Sequence, residues 1–345
     1  MQQQLSLKAW FSLIVPVVIL FVTGTLSPVT ARGDNLPVVT LSSNCSGDQI
    51  QTALDTMTNG GDVVLPAGTY TITRPIVLRH DHQALRGSGP DTILFLAPKA
   101  NCPVVILGAP GLTPQHPTSH LRLADLLIDG NRTNQQTEFW HVAVDGSQLN
   151  NNGIDVWKVT DAAVERVVCR RCRSGGLVTA AGTRRLTVQD FTAYDNQYDG
   201  LACYLTEESS FSKLFLHDNL AAGISLDLAF NHNLIDGAIL KDNDLGVFMR
   251  NSHENSFQKI TILKSRHCGV FMAQTGNHTT EGWRPSPGTE CVGNKFTDLE
   301  VADCGGKSVV INNDSCTNNV ISATRYVSKE QEASPTQPGA AIPLP

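Results

Sequence analysis

Four short stretches decide the fold: Gly200-Leu-Ala-Cys-Tyr204, Gly223-Ile-Ser-Leu-Asp227, Gly246-Val-Phe-Met-Arg250 and Gly269-Val-Phe-Met-Ala273. Each glycine opens a run with apolar residues one and three positions on. The frame begins earlier, at Gly153 and Gly176, so the glycines from 153 to 269 step by 23, 24, 23, 23 and 23 residues. Second apolar strands lie between them, such as Leu214-Phe-Leu216, Ile239-Leu240 and Ile260-Thr-Ile-Leu263. No helix-period stripe interrupts them. A unit of about 23 residues cannot bury its own apolar face, and stacking on its neighbours solves that problem, which makes a β-solenoid. A turn of this length holds three short strands and their corners, as in a parallel β-helix.

Alternation maps the side chains. The +1 and +3 positions (Ile154/Val156, Leu201/Cys203, Ile224/Leu226, Val247/Met249, Val270/Met272) point inward; only the Gly176 coil departs, with Thr179. The +2 and +4 positions then point out. Down the stack the +4 column reads Trp157, Ala180, Tyr204, Asp227, Arg250, Ala273, and the +2 column Asp155, Val178, Ala202, Ser225, Phe248, Phe271. Asn233, Asn255, Asn294 and Asn318 are expected to form a hydrogen-bonded ladder at one corner. Asp48 to Met57 is a short helix placed to cap the open end. Past it come Gly60-Gly-Asp-Val-Val-Leu-Pro-Ala-Gly-Thr-Tyr-Thr-Ile72 and Leu85-Arg-Gly-Ser-Gly-Pro-Asp-Thr-Ile-Leu-Phe-Leu96. These runs resemble the entry coils of pectate-lyase-like proteins. The resemblance covers roughly residues 48–326 and implies an all-β, right-handed parallel β-helix. It is specific for fold and weak for activity, because the fold hosts lyases, hydrolases, epimerases and non-catalytic adhesins.

Composition sets the boundaries. Of 345 residues only 17% are charged, 41% are hydrophobic, and glycine (28) and proline (17) are frequent, which argues against a coiled coil and against disorder. The formal charge is −6, and residues 1–31 contain a single charge, Lys8, so no basic excess supports nucleic-acid binding. Residues 1–31 read as a secretory signal: Lys8, an apolar run from Ala9 to Val22, and the small-residue site Val29-Thr30-Ala31. A lead-in (32–47), the β-helix (48–326) and a polar, disordered tail (327–345) complete the expected organisation. The mature protein is expected to be an extracellular or periplasmic monomer without a membrane span. Its nine cysteines favour disulfides in that compartment, with an odd thiol left over. Cys169-x-x-Cys172 lacks the second ligand pair of a zinc site. Three segments break the period and rise as loops: 108–120, 131–152 around Phe139-Trp140-His141, and 274–294 with Trp283-Arg284.

The chemistry centres on Tyr204, Asp227 and Arg250. Coils about 4.8 Å apart make them a row about 10 Å long, the length of one or two sugar rings. An arginine pairs with a uronate carboxylate, a tyrosine or nearby histidine exchanges protons at C5, and a carboxylate binds calcium or holds a donor. The structural alternative is an Asp227–Arg250 ion pair with Tyr204 packed beside it. Trp157, Phe248, His232, His253 and Trp283 are the expected substrate-binding residues. The arginines at 170, 171, 173, 184 and 185 either attract a polyanion or form a solvated corner. The coils are also similar to mannuronan C5-epimerases, whose motif Tyr-Gly-Phe-Asp-Pro-His precedes a further aspartate one coil later. Here the glycine falls on Gly200, the histidine position on Tyr204 and the later aspartate on Asp227; Ala202 replaces the motif acid and Asp199 the motif tyrosine. The resemblance implies a lyase or epimerase acting on an acidic polysaccharide, with the cofactor left open and calcium as the candidate. A glycoside hydrolase, pairing Asp227 with Asp199 or Glu207, and a non-catalytic glycan binder are the competing classes.

Overall fold

The computed structural model describes residues 36–110, 116–142, 148–279 and 282–327. The proposed signal sequence and the tail beyond 327 lie outside the described residues. Within them the chain is a right-handed parallel β-helix. The strands fall into two long parallel sheets, with two small antiparallel hairpins set off from them. One sheet, called here the site sheet, runs Ile76–Leu78, Val105–Leu107, Ile154–Trp157, Leu177–Ala180, Leu201–Glu207, Ala222–Asn231, Leu245–Arg250, Val270–Ala273 and Val309–Ile311, each paired with the next. The other carries the return strands, among them Thr187–Tyr194, Ser210–His217, Leu234–Lys241, Ser256–Leu263 and Lys295–Ala302. Within the return strands one residue has positive φ (Asp190, Lys213, Gly237, Lys259, Asp298), so each strand bends in two. Every such coil therefore has three sides, as the 23-residue repeat requires.

The inward map holds: Ile154, Val156, Leu201, Cys203, Ile224, Leu226, Val247, Met249, Val270 and Met272 are all 0% exposed. Behind them Phe211 packs against Phe230, and Phe257 stacks flat on Phe296 at 4.1 Å. The periodic glycines have a steric cause. A Cβ at Gly246 would lie 2.4 Å from the Gly269 carbonyl oxygen and 2.5 Å from Ile262, and one at Gly176 2.5 Å from the Gly200 oxygen. Any larger residue would push successive coils apart.

Corners use one local device. A residue with positive φ is followed by an asparagine that turns inward: His232-Asn233, Glu254-Asn255, Gly293-Asn294 and Asn318-Asn319. Each asparagine Nδ2 donates to the Oδ1 of the next, at 3.2, 2.8 and 3.0 Å. The last rung is Asn319, not Asn318 as expected, because Asn318 takes the left-handed position that short polar side chains tolerate. A second ladder, Asn196–Asn219–Asn243, runs along another corner with 2.9 Å links. These amides satisfy backbone groups that the turns would otherwise leave unpaired in the interior.

The capping helix spans Gly47–Thr56. Ser46 accepts from the Gln49 amide while Gln49 Oε1 accepts from the Ser46 amide, a reciprocal cap. The helix buries Ile50 and Leu54 over the end of the core. In this structure all nine cysteines are buried free thiols, most of them filling small inward positions as apolar residues do. No described helix is long and apolar enough to cross a membrane.

Candidate functional site

The outer face of the site sheet brings Tyr204, Asp227 and Arg250 together. Tyr204 and Asp227 are direct register partners on neighbouring coils. Arg250, one coil further, donates from Nη2 to Asp227 Oδ2. The register slips just after Tyr204. On the next coil Leu228 and Ala229 both take positive φ, and this bulge lets Asp227 accept from the Leu228 amide at 2.7 Å. Asp227 is nearly buried at 4% exposure. Burial raises its pKa above the usual carboxylate range, against the opposing pull of the Arg250 guanidinium. Arg250 lies over the Phe248 ring at 5.1 Å, and Phe248 stacks parallel on Phe271 at 5.7 Å. Phe248 is therefore a shelf for the arginine and not an open face for a sugar. The Arg250 Nε is buried and has no hydrogen-bond acceptor.

Tyr204 is part-buried. Burial, with the Asp199 and Asp227 carboxylates, pushes its phenol well up, so it stays protonated through the neutral range. Asp199, expected only as the second carboxyl of a hydrolase, adds its charge to those acting on the Tyr204 phenol. It immediately precedes Gly200, accepts from the Ala222 amide of the next coil at 2.8 Å, and is pushed up to about 7 by burial. The sequence pointed to it through its substitution for the motif tyrosine, and its place before a periodic glycine agrees. Ser225, buried on the next coil two residues before Asp227, lies on the same outer face.

Other expected residues fall elsewhere. Trp157 is 1% exposed and packs with Val77 and Ile106 in a second apolar cluster, with Ala180 and Ala181 against it. It offers no ring to a sugar, a correction that follows from outer-face cover which strand alternation cannot reveal. Asp155 is likewise buried, bonded to Asn152 Nδ2 at 2.6 Å, with its pKa well above normal. His232, in the turn after Ala222–Asn231, is exposed and faces Glu254 at 3.3 Å, and His253, on the short strand Ser252–His253, meets Asn251 at 3.3 Å. Trp283 lies on the hairpin strand Gly282–Pro285, opposite His278; its side chain is outside the described residues. Glu207 pairs with Arg184 at 3.4 Å, away from Asp227. The arginine run is largely neutralised: Arg170 and Arg171 bind Asp129, Arg185 binds Asp161 and Arg184 binds Glu208.

Asp227 does not fit a calcium site, because Arg250 and the Leu228 amide take its oxygens. Among the described residues no group of three or more His, Cys, Asp or Glu could hold a metal ion.

This geometry defines a parallel β-helix with a polar cluster on one outer face. Residues 127–282 match the family model described as periplasmic copper-binding protein (NosD). No curated protein matches the chain. Among solved structures it is similar to the A-module of the Azotobacter vinelandii mannuronan C-5 epimerase AlgE6, at 15% identity over 84% of this chain and 100% of that one, with a TM-score of 0.50. It also resembles the Yersinia enterocolitica family 28 exopolygalacturonase (11% identity, 84% and 68% covered, TM-score 0.51). A third is gene product 12 of bacteriophage phi29 (10% identity, 78% and 42% covered, TM-score 0.54). These likenesses establish the fold.

Proposed function

We propose that the chain is a polysaccharide-active enzyme of the lyase or C5-epimerase type, acting on a uronate-containing glycan in a periplasmic or extracellular space. The observation that carries the reading is the Arg250 Nε, a buried N–H without an acceptor on a guanidinium that binds the Asp227 carboxylate, one coil from the Tyr204 phenol. A buried guanidinium donor left unpaired costs stability unless a ligand oxygen completes it. A uronate carboxylate is the matching acceptor, and a donor aimed at it stabilises the charge that builds when the C5 proton leaves. Asp199, ionised above its pKa of about 7, takes that proton. Tyr204, held protonated, returns one to the opposite face in an epimerase or to the leaving oxygen in a lyase. Asp227 holds Arg250 in place. The fold is shared with proteins named as a mannuronan epimerase and an exopolygalacturonase, and the family description over residues 127–282 names the periplasm.

A second reading rests on Asp199 and Asp227 as a carboxyl pair. Burial raises both, Asp199 to about 7, while an arginine engages Asp227 and favours its charged form, so Asp199 would be the acid and Asp227 the base of a glycoside hydrolase. Incubation with pectate and alginate separates the readings. A lyase makes ultraviolet-absorbing unsaturated ends, an epimerase changes the uronate ratio without cutting, and a hydrolase releases reducing ends without absorbance. A binder that does none of these, yet is retarded in a glycan-containing gel, would remove the enzyme reading.

A further inference from the structure

Cys291 is where the chain re-enters the β-helix after the 274–290 insertion, in the short strand Cys291–Val292 that pairs with Ser252–His253. Cys316 belongs to the following coil. Lys295 pairs in register with Val320, and the ladder amides of Asn294 and Asn319 bond to each other. Each cysteine stands three residues before its ladder asparagine, so the two occupy equivalent positions on adjacent coils. That places their backbones about 4.8 Å apart, inside the Cα range of about 4.4–6.8 Å that a disulfide spans. Contact follows: the Cys291 amide donates to Cys316 Sγ at 3.4 Å.

We propose that Cys291 and Cys316 form a modification site, oxidised to a disulfide that ties the base of the 274–290 insertion to the last coil. The oxidant is a disulfide of low molecular weight or of an exchange protein. Cys316 attacks first: its interaction with Cys291 lowers its pKa to about 7, whereas that interaction and burial raise Cys291. The Cys316 thiolate displaces one thiolate from the reagent disulfide, which takes up a proton, and a mixed disulfide results. Cys291 then loses its proton and attacks Cys316 Sγ, and the second reagent thiol leaves. The two protein thiols are oxidised by two electrons and one reagent disulfide is reduced to two thiols. Both side chains are buried in the folded coil, so the reaction occurs as the last coil docks.

The consequence bears on the candidate site. Cys291 Sγ also contacts the Ala273 carbonyl at 3.5 Å, and Ala273 is the register partner of Arg250. The cross-link fastens the return end of the insertion beside the strand that carries the arginine.

The test is peptide mapping of the full chain, unfolded with urea and refolded with oxidised and reduced glutathione, then alkylated and digested without reductant. The expected product is one cross-linked peptide pair joining Cys291 to Cys316, two hydrogens lighter than the separate peptides and lost on reduction. Reductant should then speed proteolytic cleavage after residue 290 several-fold in the wild type and leave the C291A/C316A double variant unchanged. Full alkylation of both residues, or a pairing of either with another cysteine, overturns the proposal. Equal cleavage with and without reductant in a chain whose cross-link mapping confirms overturns the fastening role.

Discussion

Asp227 and Arg250 each make the other tolerable. Alone, Asp227 would be a nearly buried carboxylate with one backbone donor. Arg250→Ala is therefore expected to destabilise the protein by about 3 kcal/mol, the lower end for breaking a buried pair because the arginine is part-exposed. Combining it with Asp227→Asn should recover most of that loss. Urea midpoints for the four proteins of this cycle measure it, and additive losses would show that the pair is not coupled. Asp199 supplies a pH prediction with a definite sign. Its folded pKa of about 7 exceeds its ordinary value of 3.8, so the native state binds more protons than the unfolded chain between those values. Its stabilising contribution is full below about 4 and declines as pH rises towards 7. Asp199→Asn should flatten that part of the curve of melting temperature against pH. The catalytic slope separates the two functional readings. With Asp199 as the proton acceptor, kcat/KM rises through about pH 7; with Asp199 as the acid of a hydrolase, it falls.

At the scale of the coil, the asparagine ladders bear much of the register. Asn219 Nδ2 donates to Asn243 Oδ1 and to the Ala193 carbonyl, while its own Oδ1 accepts from Asn196. Asn219→Ala would strand buried partners on both neighbouring coils, at a cost of about 1–3 kcal/mol for each group left unsatisfied. A urea midpoint within 0.5 kcal/mol of wild type, an error-sized change for a distant surface site, would show that the ladder is decorative. Gly246→Ala should be at least as damaging, since its Cβ meets a backbone oxygen that cannot move without spreading the coils. These features also explain what was legible in the sequence. The 23-residue glycine period is visible because coil contact itself excludes a side chain there, and the inward alternation is visible because burial selects for it. Asn319 escaped notice because Asn318 sits beside it, and only the sign of φ decides which of the two turns inward.

Over the whole molecule, one outer face of the site sheet changes character along the stack. Near its start, Trp157 and Asp155 are covered; from Asp199 to Arg250 a polar cluster lies open to part of the solvent. The row of tyrosine, acid and arginine followed from strand alternation and coil spacing alone. The loss of Trp157 and the closure of Phe248 did not, because the packing of Trp157 on Val77 and Ile106 and the stacking of Phe248 on Phe271 arise only between coils and have no local signature. Asp199 was legible as a departure from a motif and as a carboxylate one coil before Asp227, but its raised pKa comes from burial that only the stacked coils create. The arginine run near Gly176 likewise shows its acid partners only once the coils are stacked.

The most direct measurement compares wild type, Asp227→Asn and Arg250→Lys on alginate and polygalacturonate, following unsaturated ends by ultraviolet absorbance and uronate ratio by proton NMR. The account predicts that wild type changes one of the two on at least one polymer. It also predicts that both variants, folded by circular dichroism, lose that activity by about 100-fold or more, the scale of removing a placed acid–base or charge-stabilising group. Wild-type activity that survives both substitutions, or a wild type inert on every uronan while releasing reducing ends from a neutral glucan, would contradict it.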